Sequence, residues 1–165
     1  MHPCFLLYIL MFEIIGAPFK PGPDGGVSTL LDKSGATVKL LGISGSILHD
    51  MRYSDTFSES VCALVSCTDE PSWAAECLEK FKTTPGNESL HTCVDSSQIY
   101  KANKQRHFQA LQEEYPDISF KEMMFFDNEM HNVTTVRKLG VHSICCPNGM
   151  TEQVWKDALE EYASR

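Results

Sequence analysis

No aspartate precedes Asp24 in this chain of 165 residues, and no lysine or arginine precedes Lys20. No apolar run approaches the roughly 20 residues that a membrane-spanning helix needs. No two cysteines stand in a Cys-x-x-Cys arrangement, and the histidines do not cluster at zinc-ligand spacing, which argues against a structural zinc site. No cysteine is followed six positions later by arginine, so the loop of a thiol phosphatase is missing. No Gly-x-Gly-x-x-Gly loop occurs, so the dinucleotide fingerprint is missing too. Basic residues are scarce: 14 Lys and Arg stand against 22 Asp and Glu, a net charge of −8. A phosphate-backbone binder needs a basic face, so nucleic acid is excluded as the expected partner.

What remains is the composition of a folded chain, 42% hydrophobic and 22% charged. The length predicts one domain across residues 1–165, large enough to bury a core without disulfides. The seven cysteines are Cys4, Cys62, Cys67, Cys77, Cys93, Cys145 and Cys146. An odd count without repeated spacing is a poor disulfide framework and reads as buried thiols in a reducing, cytoplasmic setting. Cys4 to Phe12 is an unbroken apolar run. With no basic residue ahead of it, it reads as a buried strand rather than a signal peptide.

Further along, short apolar runs alternate with helical spacing. Residues 16–36 are punctuated by Pro18, Pro21, Pro23 and Gly25-Gly26, which predicts a loop or small flap. Val38 to Leu41 reads as a short strand, and Ser44 to about Met51 as a helix. Val61 to Val65 is a strand, followed by Ser66 and a helix with Pro71 in its first turn, capped by Thr68 or Asp69. Residues 83–98 are polar and turn-rich. A helix over about 103–115 carries Lys104 in its first turn, against the sense of the helix dipole. Met123 to Phe126 is another strand, ending in Asp127-Asn128-Glu129. A helix over 132–139 stops at Gly140, a strand covers 141–145, and Thr151 opens a last helix.

This alternation predicts an α/β fold, a Rossmann-like parallel sheet flanked by helices. In such sheets ligands bind beyond the carboxyl ends of the strands, where Ser66 and Asp127 stand. A strand-end carboxylate is a hard oxygen ligand suited to Mg²⁺. A serine backed by helix N-terminal amides cradles an anion, and a lysine neutralises phosphate charge. Together they make most of a phosphoryl-transfer site, although each also has an ordinary structural reading as cap or solvated charge. A phosphate-receiving signalling domain uses the same residue types and is the weaker alternative.

The ordered set VSCTDEPSW, IYKANKQRHF and MMFFDNEMHNVTTVRKLGV, with GAPFKPGPDGG ahead of it, resembles the haloacid dehalogenase superfamily. Within it, the chain resembles the magnesium-dependent phosphatase-1 (acid phosphatase) family. The resemblance implies hydrolysis of phosphomonoesters, of phosphotyrosine or phosphosugar type, with Mg²⁺ as cofactor. A small phosphomonoester or a phosphoprotein is the implied substrate, with no membrane partner and a monomeric protein. Carried over residue by residue, Ser66 and Lys104 are the catalytic positions. Ser66, Cys67, Thr68 and Lys104 bind phosphate, and Asp127 and Asn128 hold the metal, Asn128 standing where many relatives carry a second aspartate. The family's nucleophile is the first aspartate of an Asp-x-Asp pair upstream of GAPF. Here positions 1–10 read MHPCFLLYIL, and Glu13 is the lone acid before Asp24. The expectation is therefore a phosphatase fold with impaired turnover, its first ten residues divergent or truncated. The alternative is a catalytically inactive phosphate- or protein-binding module of the same fold.

Overall fold

A computed structural model describes residues 16–165 and, as backbone, the strand β1 (Cys4–Leu7). The strand expectation for the N-terminal run is met over those four residues, and its remainder lies outside the described residues, as does Glu13. The other elements are β2 (Lys20–Pro21), β3 (Thr29–Leu31), β4 (Thr37–Lys39), α1 (Ser44–Tyr53), β5 (Val61–Ser66), α2 (Pro71–Lys80), β6 (Ser96–Ile99), α3 (Lys104–Glu114), β7 (Met123–Asp127), α4 (Met130–Arg137), β8 (His142–Cys145) and α5 (Glu152–Ala163).

Five strands form one parallel sheet in the order β6-β5-β1-β7-β8. From the central β1 the chain builds outward to β5 and β6, then returns to the other side for β7 and β8. The direction of winding therefore reverses at β1, and its carboxyl end opens the crevice where such sheets bind ligands. Leu7 pairs with both Leu64 and Phe126. Ser66 and Asp127 lie just beyond that level, one on each side.

The apolar strands sort their side chains with period two. Cys62, Leu64, Met124 and Phe126 face a core shared with α1, α2 and α5. Ala63, Val65, Met123 and Phe125 face a second core against Phe108 and Leu111 of α3 and Val136 of α4. Burial on both faces explains why these strands read as unbroken apolar runs. Aromatic rings fill both layers. Phe108 meets Phe125 edge-on at 5.1 Å, and Trp155 of α5 sits 5.6 Å from Phe126. The fully buried Phe108, Phe125 and Phe126 rings contribute about 1.5–3 kcal/mol each.

The loop or small flap expected over residues 16–36 contains two short strands, and the short strand expected from Val38 to Leu41 is found at Thr37–Lys39. Lys20–Pro21, Thr29–Leu31 and Thr37–Lys39 form a three-stranded antiparallel sheet. Pro21 fits because β2 is an edge strand, where a missing N–H costs no ladder bond. Asp24 and Asp32 organise the two turns. Asp24 accepts from the Gly26 and Ser28 amides and the Ser28 and Thr29 hydroxyls. Asp32 accepts from the Ser34 amide and hydroxyl and the Ala36 amide. The small sheet is fastened to α2 through Phe19. Its amide donates to Glu76 Oε1 at 2.9 Å, its carbonyl accepts from Lys80 Nζ, and Glu76 and Lys80 pair at 2.8 Å.

Several boundaries shift. The helix expected over 132–139 begins at Met130, because the chain turns directly out of β7. Strand β6 falls inside the stretch read as polar and turn-rich. Its sequence, Ser-Ser-Gln-Ile, has no apolar run, and as an edge strand it needs none. Gly42 has a φ of +63°, and a Cβ there would lie 1.8 Å from the Met150 carbonyl oxygen, so only glycine passes this crossing.

Candidate active site

Strand β5 delivers Ser66 to the carboxyl edge of the sheet, half-buried, with Cys67 exposed beyond it. That exposure corrects the reading of the cysteines as uniformly buried. Cys62, Cys77, Cys93 and Cys146 are buried, and Cys145 is partly so. Burial pushes the Cys77 thiol up to about 12 and the Cys146 thiol up to about 11. Helix α2 starts at Pro71 as expected, but its cap position is Glu70, and no side chain caps it. Thr68 Oγ1 accepts from the Glu70 amide at 3.0 Å, within the loop rather than at the helix. Among the described residues, no acceptor takes the Cys67 or Thr68 amide.

Helix α3 brings in Lys104. Asn103 Oδ1 caps the helix by accepting from the Arg106 amide at 2.9 Å, which makes Lys104 the first helical residue. His107, one turn on, is fully buried and donates from Nε2 to the Tyr100 carbonyl at 3.0 Å, tying the loop before α3 to the helix. The lysine is not a solvated surface charge, being only 3% exposed. Its Nζ donates to the Val65 carbonyl at 2.9 Å and lies 3.8 Å from Asp127 Oδ2. The unfavourable helix dipole is thus answered by a carbonyl and a carboxylate.

Asp127 closes β7 with no exposed surface. Oδ1 accepts from the Glu129 amide at 2.8 Å, and Asn132 Nδ2 donates to both carboxylate oxygens at 3.3 and 3.1 Å. The same Asn132 amide reaches Glu129 Oε2 at 2.9 Å. Burial pushes the Asp127 carboxyl above its ordinary value, opposed by the Glu129 amide and by Lys104. Burial likewise pushes the Lys104 ammonium below its ordinary value, opposed first by Asp127. Each member's charge favours the charged form of the other, against a burial that disfavours both.

The structure brings Lys104 and Asp127 together, with Lys104 anchored on the residue before Ser66. Asn128 follows Asp127, and its Oδ1 is buried without a hydrogen-bond partner among the described residues. A buried amide oxygen left unpaired is costly, and a cation is one group that satisfies it. Asp127 and Asn128 are hard oxygen donors of the kind Mg²⁺ takes. Mg²⁺ is usually held by one or two carboxylates, water and substrate phosphate, so these two residues suit it. Among the described residues there is no group of three His, Cys, Asp or Glu that could hold a metal ion. The sequence positions after Leu7, Tyr8 to Leu10, lie outside the described residues and contain no carboxylate. Asp24 cannot substitute, since its four hydrogen bonds outweigh slight burial and hold its carboxyl well below the usual range inside its own turn.

Sequence reasoning missed Asn132, Glu129 and the Lys101–Asp69 pair. Asn132 had a signal: an amide in the first turn of the helix that follows a strand-end aspartate can fold back onto it. The Lys101–Asp69 pair had none, because its members are 32 residues apart.

Comparison with known proteins shows the family and the fold. The family described as acid phosphatase matches residues 5–165. Magnesium-dependent phosphatase 1 of Homo sapiens is 32% identical over 149 residues, covering 90% of this chain and 76% of that protein. A HAD-like hydrolase superfamily protein of Schizosaccharomyces pombe is 33% identical over 131 residues, covering 77% of this chain and 71% of its own. The N-terminal part of a Bacteroides fragilis protein, with a phosphatase domain complexed with Mg, superposes with a TM-score of 0.56 at 18% identity. It covers 99% of this chain, which spans 39% of that longer one, and it supports the fold alone. A buried Lys–Asp pair at the switch point of a parallel α/β sheet, with matches that extend over nearly the whole sequence, places this chain in the acid phosphatase family.

Proposed function

We propose that this chain holds phosphomonoesters of phosphotyrosine or phosphosugar type, with Mg²⁺, at the crevice lined by Ser66, Lys104 and Asp127, and that its turnover is impaired. The observation that supports the reading best is the buried lysine 3.8 Å from a buried strand-end aspartate. A dry cation–carboxylate pair is costly to build for stability alone. Ser66 hydroxyl and the Cys67 and Thr68 amides donate to phosphate oxygens. Lys104 offsets the charge of the phosphoryl group. Asp127 and Asn128 hold the metal, which when bound supplies positive charge to a phosphoryl oxygen. Asn132 keeps the Asp127 carboxylate oriented.

The weak point is the nucleophile. The family resemblance calls for an aspartate that attacks phosphorus, and these 165 residues offer none before Asp24. Bound phosphomonoester then meets water, with no aspartate from the opening strand to take the phosphoryl group. Release of para-nitrophenol from its phosphate ester in Mg²⁺ should match the rate of an Asp127→Ala variant. Replacing residues 1–10 by a strand ending in Asp-x-Asp should restore turnover above that control. Turnover well above the control in the unaltered chain would refute the impairment. Absence of phosphate binding by calorimetry would refute the site.

A further inference from the structure

The loops that carry Ser66 and Lys104 are joined by a second lysine–aspartate pair that the phosphate site does not use. Asp69 lies three residues past Ser66, in the loop between β5 and α2. Lys101 lies three residues before Lys104, in the loop between β6 and α3. Lys101 Nζ stands 2.8 and 3.1 Å from the two Asp69 carboxylate oxygens. Both side chains are well exposed, 75% and 67%, so the pair spans the open rim of the crevice.

The two lysines differ in what they are free to do. Lys104 is buried and spends its donors inward, on the Val65 carbonyl and Asp127. Lys101 is held by one exposed carboxylate, and an exposed pair of this kind contributes little, so an incoming anion displaces Asp69 at small cost. The Tyr100 amide donates to the Ser66 carbonyl at 3.1 Å, which holds the residue before Lys101 against the strand end that carries Ser66. Lys101 is therefore within electrostatic reach of whatever occupies the phosphate cradle.

We propose that Lys101 is a specificity-determining residue: it selects phosphomonoesters carrying a second anionic group, which takes the place of Asp69 on its ammonium. The inference rests on the phosphate-site reading above and narrows it to a substrate class. The phosphate enters between Ser66 and Lys104, and the second anion stays at the rim, where water still reaches it. Asp69 acts as an internal competitor that keeps an uncharged tail from gaining by the contact.

Calorimetric titration with 2-carboxyethyl phosphate and with 3-methylbutyl phosphate tests this, because the two differ in a carboxylate against an apolar fork of the same shape. At low ionic strength the carboxylate should bind about two- to fivefold tighter, the range of one exposed ion pair. Lys101→Met should bring that ratio near one, with the larger loss of affinity on 2-carboxyethyl phosphate. Asp69→Asn should raise it. An unchanged ratio in Lys101→Met, with both probes still bound, overturns the inference and leaves the phosphate site standing. Failure of both probes to bind the unaltered chain overturns the phosphate-site reading and this inference with it.

Discussion

The Lys104–Asp127 pair permits a quantitative test of how dry the crevice floor is. At 3.8 Å, Coulomb's law at an effective dielectric of about 20 gives an attraction of about 4 kcal/mol. The same separation in bulk water gives about 1 kcal/mol, so the two environments are distinguishable. Both side chains are almost wholly buried, which favours the larger figure. Lys104→Met keeps the length of the side chain and removes the charge. It also strips the Val65 carbonyl of a donor, so a loss of about 3–5 kcal/mol is expected. Asp127→Asn keeps an acceptor for the Glu129 amide but loses the charge. The double variant separates the pair from these side effects. Urea unfolding of the four proteins, in the presence of a chelator so that no cation shields Asp127, should give a coupling of about 2–4 kcal/mol. A coupling below about 1 kcal/mol would refute the reasoning. It would mean that water screens the pair and that Lys104 is not committed to the crevice floor.

Three further outcomes are expected. Glu76→Ala leaves the buried Phe19 amide without an acceptor and should cost about 1–3 kcal/mol, with faster hydrogen exchange at Leu30 and Val38; unchanged exchange there would show that the small sheet is not held through α2. Asp24 has a carboxyl held below its ordinary value, so its contribution is present above the unfolded pKa near 3.8 and fades as pH falls through its lower folded value. The gap in melting temperature between the unaltered chain and Asp24→Asn should therefore be full at pH 6 and shrink below about pH 4; a gap that widens on acidification would contradict this. Iodoacetamide at pH 8, mapped by mass spectrometry, should label exposed Cys67 well before Cys77 and Cys146, whose thiols burial pushes up to about 12 and about 11; labelling of all three at one rate would contradict their burial.

Much of the fold was legible because its strands are buried on both faces and so stand out as apolar runs. Val61–Val65 and Met123–Phe126 are of this kind, and each delivers a polar residue to the carboxyl edge. The elements that escaped notice obey other rules. Strand β6 is an edge strand of polar composition. Lys20–Pro21 and Thr29–Leu31 are strands of a small sheet whose turns are organised by Asp24 and Asp32, although the prolines and glycines around them suggest a loop or flap. Thr68 was expected at a helix cap and instead serves its own loop, because Pro71 sets the helix start one residue after Glu70.

By itself the sequence determined the alternation of strand and helix, and hence a parallel sheet with Ser66 and Asp127 at strand ends. It also determined that no aspartate stands before Asp24. Only the tertiary structure decided that Lys104 is buried rather than solvated, since that depends on a carbonyl 39 residues away and a carboxylate on another strand. The Asn132 bridge, the unpaired Asn128 oxygen and the Lys101–Asp69 rim were likewise decided there. Local periodicity reports which face of an element is apolar. Which polar groups meet across the crevice depends on strand order, and strand order places β5 and β7 on either side of β1.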